Sequence, residues 1–76
     1  MLQVDLNEND QRLAQVVREA VSTFGRVTSV DIHRHPSPFA LVQMAQHMQT
    51  LELAAQVGGS AFGTSVLIHL EQKPQQ

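Results

Sequence analysis

The chain has 76 residues, enough for one small domain and too few for two. It contains no cysteine, which excludes disulfides, thiolate metal sites and a cysteine nucleophile. Five Lys and Arg against seven Asp and Glu make it slightly acidic, without the basic balance of strong nucleic-acid binders. No basic start precedes an apolar stretch, and no apolar run approaches the roughly 18 residues of a membrane span. We therefore expect an intracellular protein, nuclear or cytoplasmic, that is not secreted and does not bind membranes.

The first part of the chain predicts a strand followed by a helix. Residues 2–6 alternate apolar and polar side chains, which is typical of a half-buried strand. Residues 7–10, Asn-Glu-Asn-Asp, then supply N-cap candidates and negative charge for a helix start. Apolar residues recur at helical spacing from Leu13 to Phe24, and Gly25 occupies the position of a C-terminal cap.

The middle of the chain predicts a hairpin. Residues 27–33 are rich in β-branched side chains and alternate in polarity, so they predict a second strand. The Pro36-Ser37-Pro38 turn separates this strand from residues 39–44, which predict a third strand close enough in sequence to pair with it.

The last part predicts a helix, a strand and a tail. Residues 46–57 are strong helix formers that end at Gly58-Gly59, and Gly63 marks a further turn. Residues 66–71 alternate in polarity as the last strand. Residues 73–76 form a polar tail that we expect to be disordered.

The resulting order, β-α-β-β-α-β, predicts an α+β fold of the ferredoxin-like plan over residues 1–72. In this plan four antiparallel strands, numbered along the chain, lie in the order 4-1-3-2. Two helices cover one face of the sheet, and the other face is left to solvent or a ligand. Fold alone does not decide the function.

Several segments, in this order and spacing, resemble motifs of one known domain family. Residues 24–32 resemble its helix-to-strand junction, and residues 37–44 resemble its octamer motif. Residues 2–6 fall where its hexamer motif belongs, and residues 57–63 resemble the connection into its last strand. The family is that of RNA recognition motif domains, and the compact turn at residues 34–40 is similar to that of its short-loop type, the SR splicing factors. The resemblance implies single-stranded RNA binding on the open sheet face.

The departures from the family pattern fall on its stacking positions. Phe39 matches an aromatic position of the octamer motif. An RNA base that stacks on such a ring contributes roughly 1–3 kcal/mol. Gln3, Asp31 and Leu41 stand where the family usually has further aromatics, and Ser37 replaces a basic residue. We expect weak or non-standard RNA binding, with Phe39 as the base-stacking residue. Asp5 and Asp31 would repel phosphate.

The remaining RNA-contact candidates complete this hypothesis. They are the positional analogues Leu41 and Gln3, Leu67 on the open face, His33 and His69 at its rim, and Arg34, with Lys73, for phosphate attraction. We expect Phe39 to face outward, opposite to Ala40, Val42 and Met44. Phe24 and Phe62 favour core positions, Phe62 as a plug at one end.

The histidines also suggest a metal site, but their predicted separation argues against one. In the 4-1-3-2 order, His33 and His69 would lie on opposite edges, three strand spacings of about 4.8 Å apart. That separation is too large for one ion with ligands at roughly 2 Å. Histidines in such positions more commonly face solvent at the edge of a sheet. We therefore predict no metal and no cofactor.

The second helix carries two apolar stripes. Thr50, Leu53, Ala54 and Val57 form one, and Met48, Leu51 and Ala55 form another. One stripe packs on the sheet, and the other is then either incidental exposure or a protein-binding surface.

Three functional hypotheses therefore stay open. No arrangement of residues indicates catalysis, so we do not expect an enzyme. The first hypothesis is weak single-stranded RNA binding on the open face. The second is a protein-interaction module that uses the second helix or the sheet face. The third, less favoured, is a regulatory domain that binds a small ligand between subunits. We expect a monomer or weak self-association.

Overall fold

A computed structural model describes residues 1–74, so Gln75 and Gln76 of the predicted tail lie outside the described residues. It contains two helices and a mixed sheet of five strands, which confirms the α+β class and a β-α-β-β-α-β-like arrangement. The elements are β1 (Leu2–Val4), α1 (Asp10–Val21), β2 (Val27–His33), β3 (Phe39–Met44), α2 (His47–Val57), β4 (Ser60–Phe62) and β5 (Ser65–Gln72).

The start of α1 is fixed by a side-chain cap. The Asn9 carboxamide accepts a hydrogen bond from the Arg12 amide at 2.8 Å, and Asp10 places negative charge in the first turn. The helix ends at Val21, earlier than its apolar stripe predicts, because Ser22–Phe24 tighten into a 3-10 helix. Phe24 still packs against the core, as expected.

The strand order differs from the predicted one. The sheet runs β1-β5-β3-β2, and β4 also pairs with β5. β1 pairs with β5 in parallel, from Leu2 opposite Leu70 to Val4 opposite Gln72, whereas the other pairs are antiparallel. The predicted four-stranded, fully antiparallel sheet with the order 4-1-3-2 is therefore wrong, because the last strand takes the central place given to the first.

The lengths and burial of the strands explain this exchange. β5 has eight residues, of which Val66, Ile68 and Leu70 are buried, so it can serve neighbours on both sides. β1 has three residues and covers only the end of β5, while β4 covers the beginning of the same edge. Alternation along a strand tells which side chains share a face, but it does not tell which strand lies beside it.

The core lies between the helices and one face of the sheet. Its largest fully buried side chains are Leu13, Val17 and Val21 of α1, Thr50 and Leu53 of α2, Val42 of β3, and Val66 and Ile68 of β5. The hydroxyl of Thr50, the one polar side chain in this set, donates to the Gln46 carbonyl at 2.9 Å and is therefore satisfied.

Two neighbouring glycines end α2 as the sequence predicts. Gly58 has φ 71°, the left-handed conformation that caps many helices, and the Gly59 amide donates to the Ala54 carbonyl at 2.9 Å. A Cβ at residue 59 would lie 2.7 Å from the Leu67 carbonyl oxygen. Gly59 therefore allows the chain to pass closely over β5 as it enters β4.

The predicted tail begins as a continuation of the sheet. The Lys73 amide donates to the Val4 carbonyl at 2.9 Å, so this residue extends the pairing of β1 with β5 rather than being disordered. Within residues 1–74, neither helix has the length and apolar character that crossing a bilayer would require.

Candidate functional site

The face of the sheet turned away from both helices is the open face. It follows from the registers, because directly paired residues point to the same side. Its members are Gln3, Ser29, Asp31, His33, Phe39, Leu41, Gln43, Ser60, Phe62, Ser65, Leu67, His69 and Glu71. Phe39 faces outward as predicted, since Ala40, Val42 and Met44 are all buried on the other side.

A stacked ring pair lies at one end of the open face. His33 and Phe39 are paired across β2 and β3, and their rings stack with centroids 4.7 Å apart and planes 11° apart. Such pairs contribute about 0.5–1.5 kcal/mol beyond burial. His69 is paired with Phe39 on the other side, from β5. The three predicted residues thus form one row, His33–Phe39–His69. In the stack, the His33 ring covers only one face of the Phe39 ring.

The middle of the open face is apolar. Leu41 and Leu67 are directly paired between β3 and β5, and both are half-buried. In the same row, Asp31 of β2 is paired with Leu41, and Ser60 of β4 is paired with Leu67. The structure therefore brings the predicted residues Leu41 and Leu67 together next to the stacked pair. Gln3, also predicted, is exposed and lies opposite Glu71, at the β1 end of the face.

Phe62 is the residue that the sequence reasoning misplaced. It does not plug the core: its side chain is 64 % exposed, and its pairing with Ser65 puts it on the open face. The missed signal is the alternation Ser60-Ala61-Phe62 between two glycine-containing turns, which is a short hairpin strand. Ala61 turns inward and packs against the core, so its neighbour Phe62 must turn outward.

Among the described residues, no strand position of the open face holds a lysine or an arginine. The five Lys and Arg of the chain lie on α1, in the loops or beyond the end of β5. Asp31 and Glu71 are both exposed on the face. Phosphate attraction from this surface is therefore weak at neutral pH, and stacking and apolar contact are its main chemistry.

Asp5 adds negative charge beside β1. Its carboxylate accepts a hydrogen bond from the Asn7 amide at 3.0 Å. This backbone hydrogen bond is the main cause that lowers the pKa of Asp5, followed by weaker contributions from the Gln72 and Asn7 side chains and from Lys73, while desolvation opposes them. The group therefore stays ionised at neutral pH, and the phosphate repulsion expected of it stays a prediction.

Arg34 has a structural role that the sequence reasoning did not foresee. Its guanidinium donates to the Leu6 carbonyl at 2.7 Å, the Glu8 carbonyl at 2.6 Å and the Asp10 carboxylate at 2.8 Å. These bonds tie the end of β2 to the loop before α1 and to the first residue of that helix. Each of the three guanidinium nitrogens donates one of these bonds, so a phosphate contact by Arg34, which stays a prediction, would compete with them.

The separation of the histidines also needs correction. His33 and His69 flank β3, so two strand spacings of about 4.8 Å lie between them, rather than three. Phe39 stands between the two. No group of three or more metal-ligating side chains is present in the part of the chain that the structure describes.

On α2, the two apolar stripes separate as the spacing predicts. Leu53 and Ala54 are buried against the sheet together with Thr50. The other stripe points to solvent: Met48 is 76 % and Leu51 48 % exposed, and Ala55 is exposed too. These three residues, the outer stripe of α2, lie on the side of the molecule opposite to the open face.

Comparison of the chain with family models, curated proteins and solved structures found no match.

Proposed function

We propose that this domain is an RNA-recognition-type module that binds single-stranded RNA weakly on its open face. The observation that carries the proposal is the stacked pair of His33 and Phe39 on a sheet face that no other described element covers. Aromatic rings exposed on a sheet bind unpaired bases, because every base has a flat face that can stack. The family resemblance of residues 37–44 supports the same residue, Phe39, as the stacking platform.

In the proposed complex a base extends the existing stack. It rests on the side of Phe39 that His33 leaves free, towards His69. Leu41 and Leu67 form the apolar floor for a neighbouring sugar or base. The stack already holds Phe39 in place, so little side-chain freedom is lost on binding, which favours affinity.

The charge distribution makes this binding weak and nearly independent of salt. Counterion release requires cations that neutralise phosphates, and the strand positions of the open face hold no lysine or arginine within residues 1–74. Asp31 and Glu71 oppose phosphate approach. We therefore expect RNA affinity well below that of a face with several aromatics and cations, and a shallow slope of affinity against salt.

A chemical-shift titration with a mixture of short single-stranded RNAs tests the proposal. We expect saturable shifts at Phe39, Leu41 and His69, and none at Met48 and Leu51 on the outer stripe of α2. Double-stranded RNA of the same length serves as the control and should cause smaller shifts. An unperturbed open face at high RNA concentration would refute the proposal, as would tight binding with a steep salt slope.

A second candidate function is protein binding through the outer stripe of α2. The specific observation is the exposure of Met48 and Leu51 on one helix face, since helix anchors at this spacing fit a partner's groove. Replacing both with Asp should abolish partner binding without unfolding the domain, because neither side chain is buried. Partner binding that survives in the folded double variant would exclude this function.

A further inference from the structure

The outer edge of β2 has unpaired main-chain groups, and their positions follow from the sheet's hydrogen bonds. The Leu70 amide donates to the Pro38 carbonyl at 3.0 Å, and the Met44 amide to the Thr64 carbonyl at 2.8 Å. These bonds flank the pairs Phe39–His69 and Gln43–Ser65, so both are non-hydrogen-bonded pairs of β3 with β5.

The alternation then fixes the direction of the groups in β2. Phe39, Leu41 and Gln43 must turn their amides and carbonyls towards β2, where they meet His33, Asp31 and Ser29. The residues between these, Val30 and Ile32, therefore turn their main-chain groups away from β3. Within residues 1–74 no strand pairs with β2 on that side.

The usual protections of an edge strand are few here. Residues 27–33 include no lysine and no proline, the residues that commonly block edge pairing. The Arg18 guanidinium occupies the Val27 carbonyl at 3.0 Å, and the register shifts between Val27 and Ser29. Both features protect the beginning of β2 and leave its second half, around Ile32, open.

The charges of β2 distinguish the registers in which a second copy could pair with it. A two-fold axis at Asp31 would oppose the Asp31 carboxylates of the two copies, which is repulsive. An axis at Val30 would bring the irregular residues 27–29 into the pairing. An axis at Ile32 instead places each Asp31 opposite His33 of the other copy, as a non-hydrogen-bonded pair with close side chains.

We propose that two copies of this chain associate weakly through β2, in antiparallel pairing centred on Ile32. The Ile32 main-chain groups of the two copies bond each other, and two Asp31–His33 pairs fix the register. The occupant is a second copy because charge complementarity is met by this chain's own residues. The association joins the two open faces into one continuous surface with both Phe39 rings on it.

Each facing pair joins an acceptor to a donor, because the Asp31 carboxylate of one copy lies opposite the His33 ring of the other.

Sedimentation at several protein concentrations tests the proposal with the full chain. We expect a weak monomer–dimer equilibrium. Asp31→Lys should weaken it at least about tenfold, because both pairs lose the carboxylate that faces His33. The charge exchange D31H/H33D should restore association to within about threefold of the original, since the facing residues are merely swapped.

Glu71→Lys is the matched control, because it makes the same charge change on the open face but away from β2. It should leave association unchanged. Amide exchange gives a second readout: protection of the Ile32 amide should grow with protein concentration, while that of Asp31 and His33 should not. A monomer at all concentrations, association insensitive to Asp31→Lys, or a charge exchange that fails to restore it would each overturn the proposal.

Discussion

The two faces of the sheet are built from the same strands but differ in the burial and polarity of their side chains. In β5, Val66 and Ile68 are fully buried against the helices, whereas Leu67 between them is half-buried and His69 is exposed on the open face. The core face selects for volume and shape, since its residues are close-packed. The open face instead combines stacked rings, apolar floor and carboxylates. Stability should therefore depend on one face and binding on the other.

The largest expected effect is on the free energy of unfolding, and it should differ between two neighbouring residues of β5. Ile68→Ala should lower the free energy of unfolding by about 3–4 kcal/mol, because it leaves a cavity in a fully packed core. Leu67→Ala, on the open face, should cost about 1 kcal/mol. Denaturant unfolding of both variants measures the difference. If Ile68→Ala does not fold, Ile68→Val should still cost about 1 kcal/mol. Equal losses in the free energy of unfolding at positions 67 and 68 would contradict the claim that stability depends mainly on the core face.

A charge reversal on the open face should affect binding without affecting stability. Glu71→Lys replaces an exposed carboxylate by a lysine, where the described strand positions of this face otherwise hold no lysine or arginine. We expect single-stranded RNA affinity at low salt to rise about three- to tenfold and its salt dependence to steepen. Fluorescence anisotropy at several salt concentrations measures both, and thermal unfolding should show an unchanged midpoint. Unchanged affinity would place the RNA elsewhere.

A gain in stability is expected on the core side, where Gln49 packs against Gly25. The Gln49 Oε1 atom is buried and has no hydrogen-bond partner among the described residues. Gln49→Met keeps the length of the side chain and removes this unsatisfied acceptor. The free energy of unfolding should increase by about 1 kcal/mol. Denaturant unfolding checks this, with Gln56→Met, at an exposed position of the same helix, as the control that should change little.

The smallest effect concerns Asp5, near the β1 end of the open face. Its pKa is lowered in the folded protein, mainly by the Asn7 amide. The ionised form thus adds stability above the carboxyl's ordinary pKa, and this is lost as pH falls through the lowered value. Asp5→Asn should therefore be slightly less stable than the original protein at pH 6, and the two should converge towards pH 2. Melting temperatures across this range measure it; a constant difference would contradict the hydrogen-bonded carboxylate.

The sequence predicts the local elements well because their signals are local. The alternation in residues 27–33 and 39–44 locates β2 and β3, and the helical stripe with its Asn9 cap locates α1. The strand order could not be predicted, since alternation identifies the faces of a strand but not its neighbours. The Ser60-Ala61-Phe62 alternation of β4 spans only three residues, too few to distinguish a strand from a turn, which is why the sequence predicts a core position for Phe62.

The candidate site shows the same division. Phe39, Leu41, Leu67, His33 and His69 share the open face, as strand parity alone predicts. The stacking of His33 on Phe39 depends on register across the hairpin, and the three bonds from Arg34 to residues 6–10 depend on the tertiary fold. Neither is a property of one segment, so neither was visible in the sequence.

The central claim is that Phe39 on the open face stacks an RNA base, and one comparison tests it most directly. The affinity of Phe39→Ala for a short single-stranded RNA is measured beside that of Met48→Ala, which removes an exposed apolar side chain on the opposite side. We predict that Phe39→Ala loses about five- to a hundredfold in affinity while staying folded, and that Met48→Ala binds as the original protein does. RNA binding that is unchanged in folded Phe39→Ala would contradict the account.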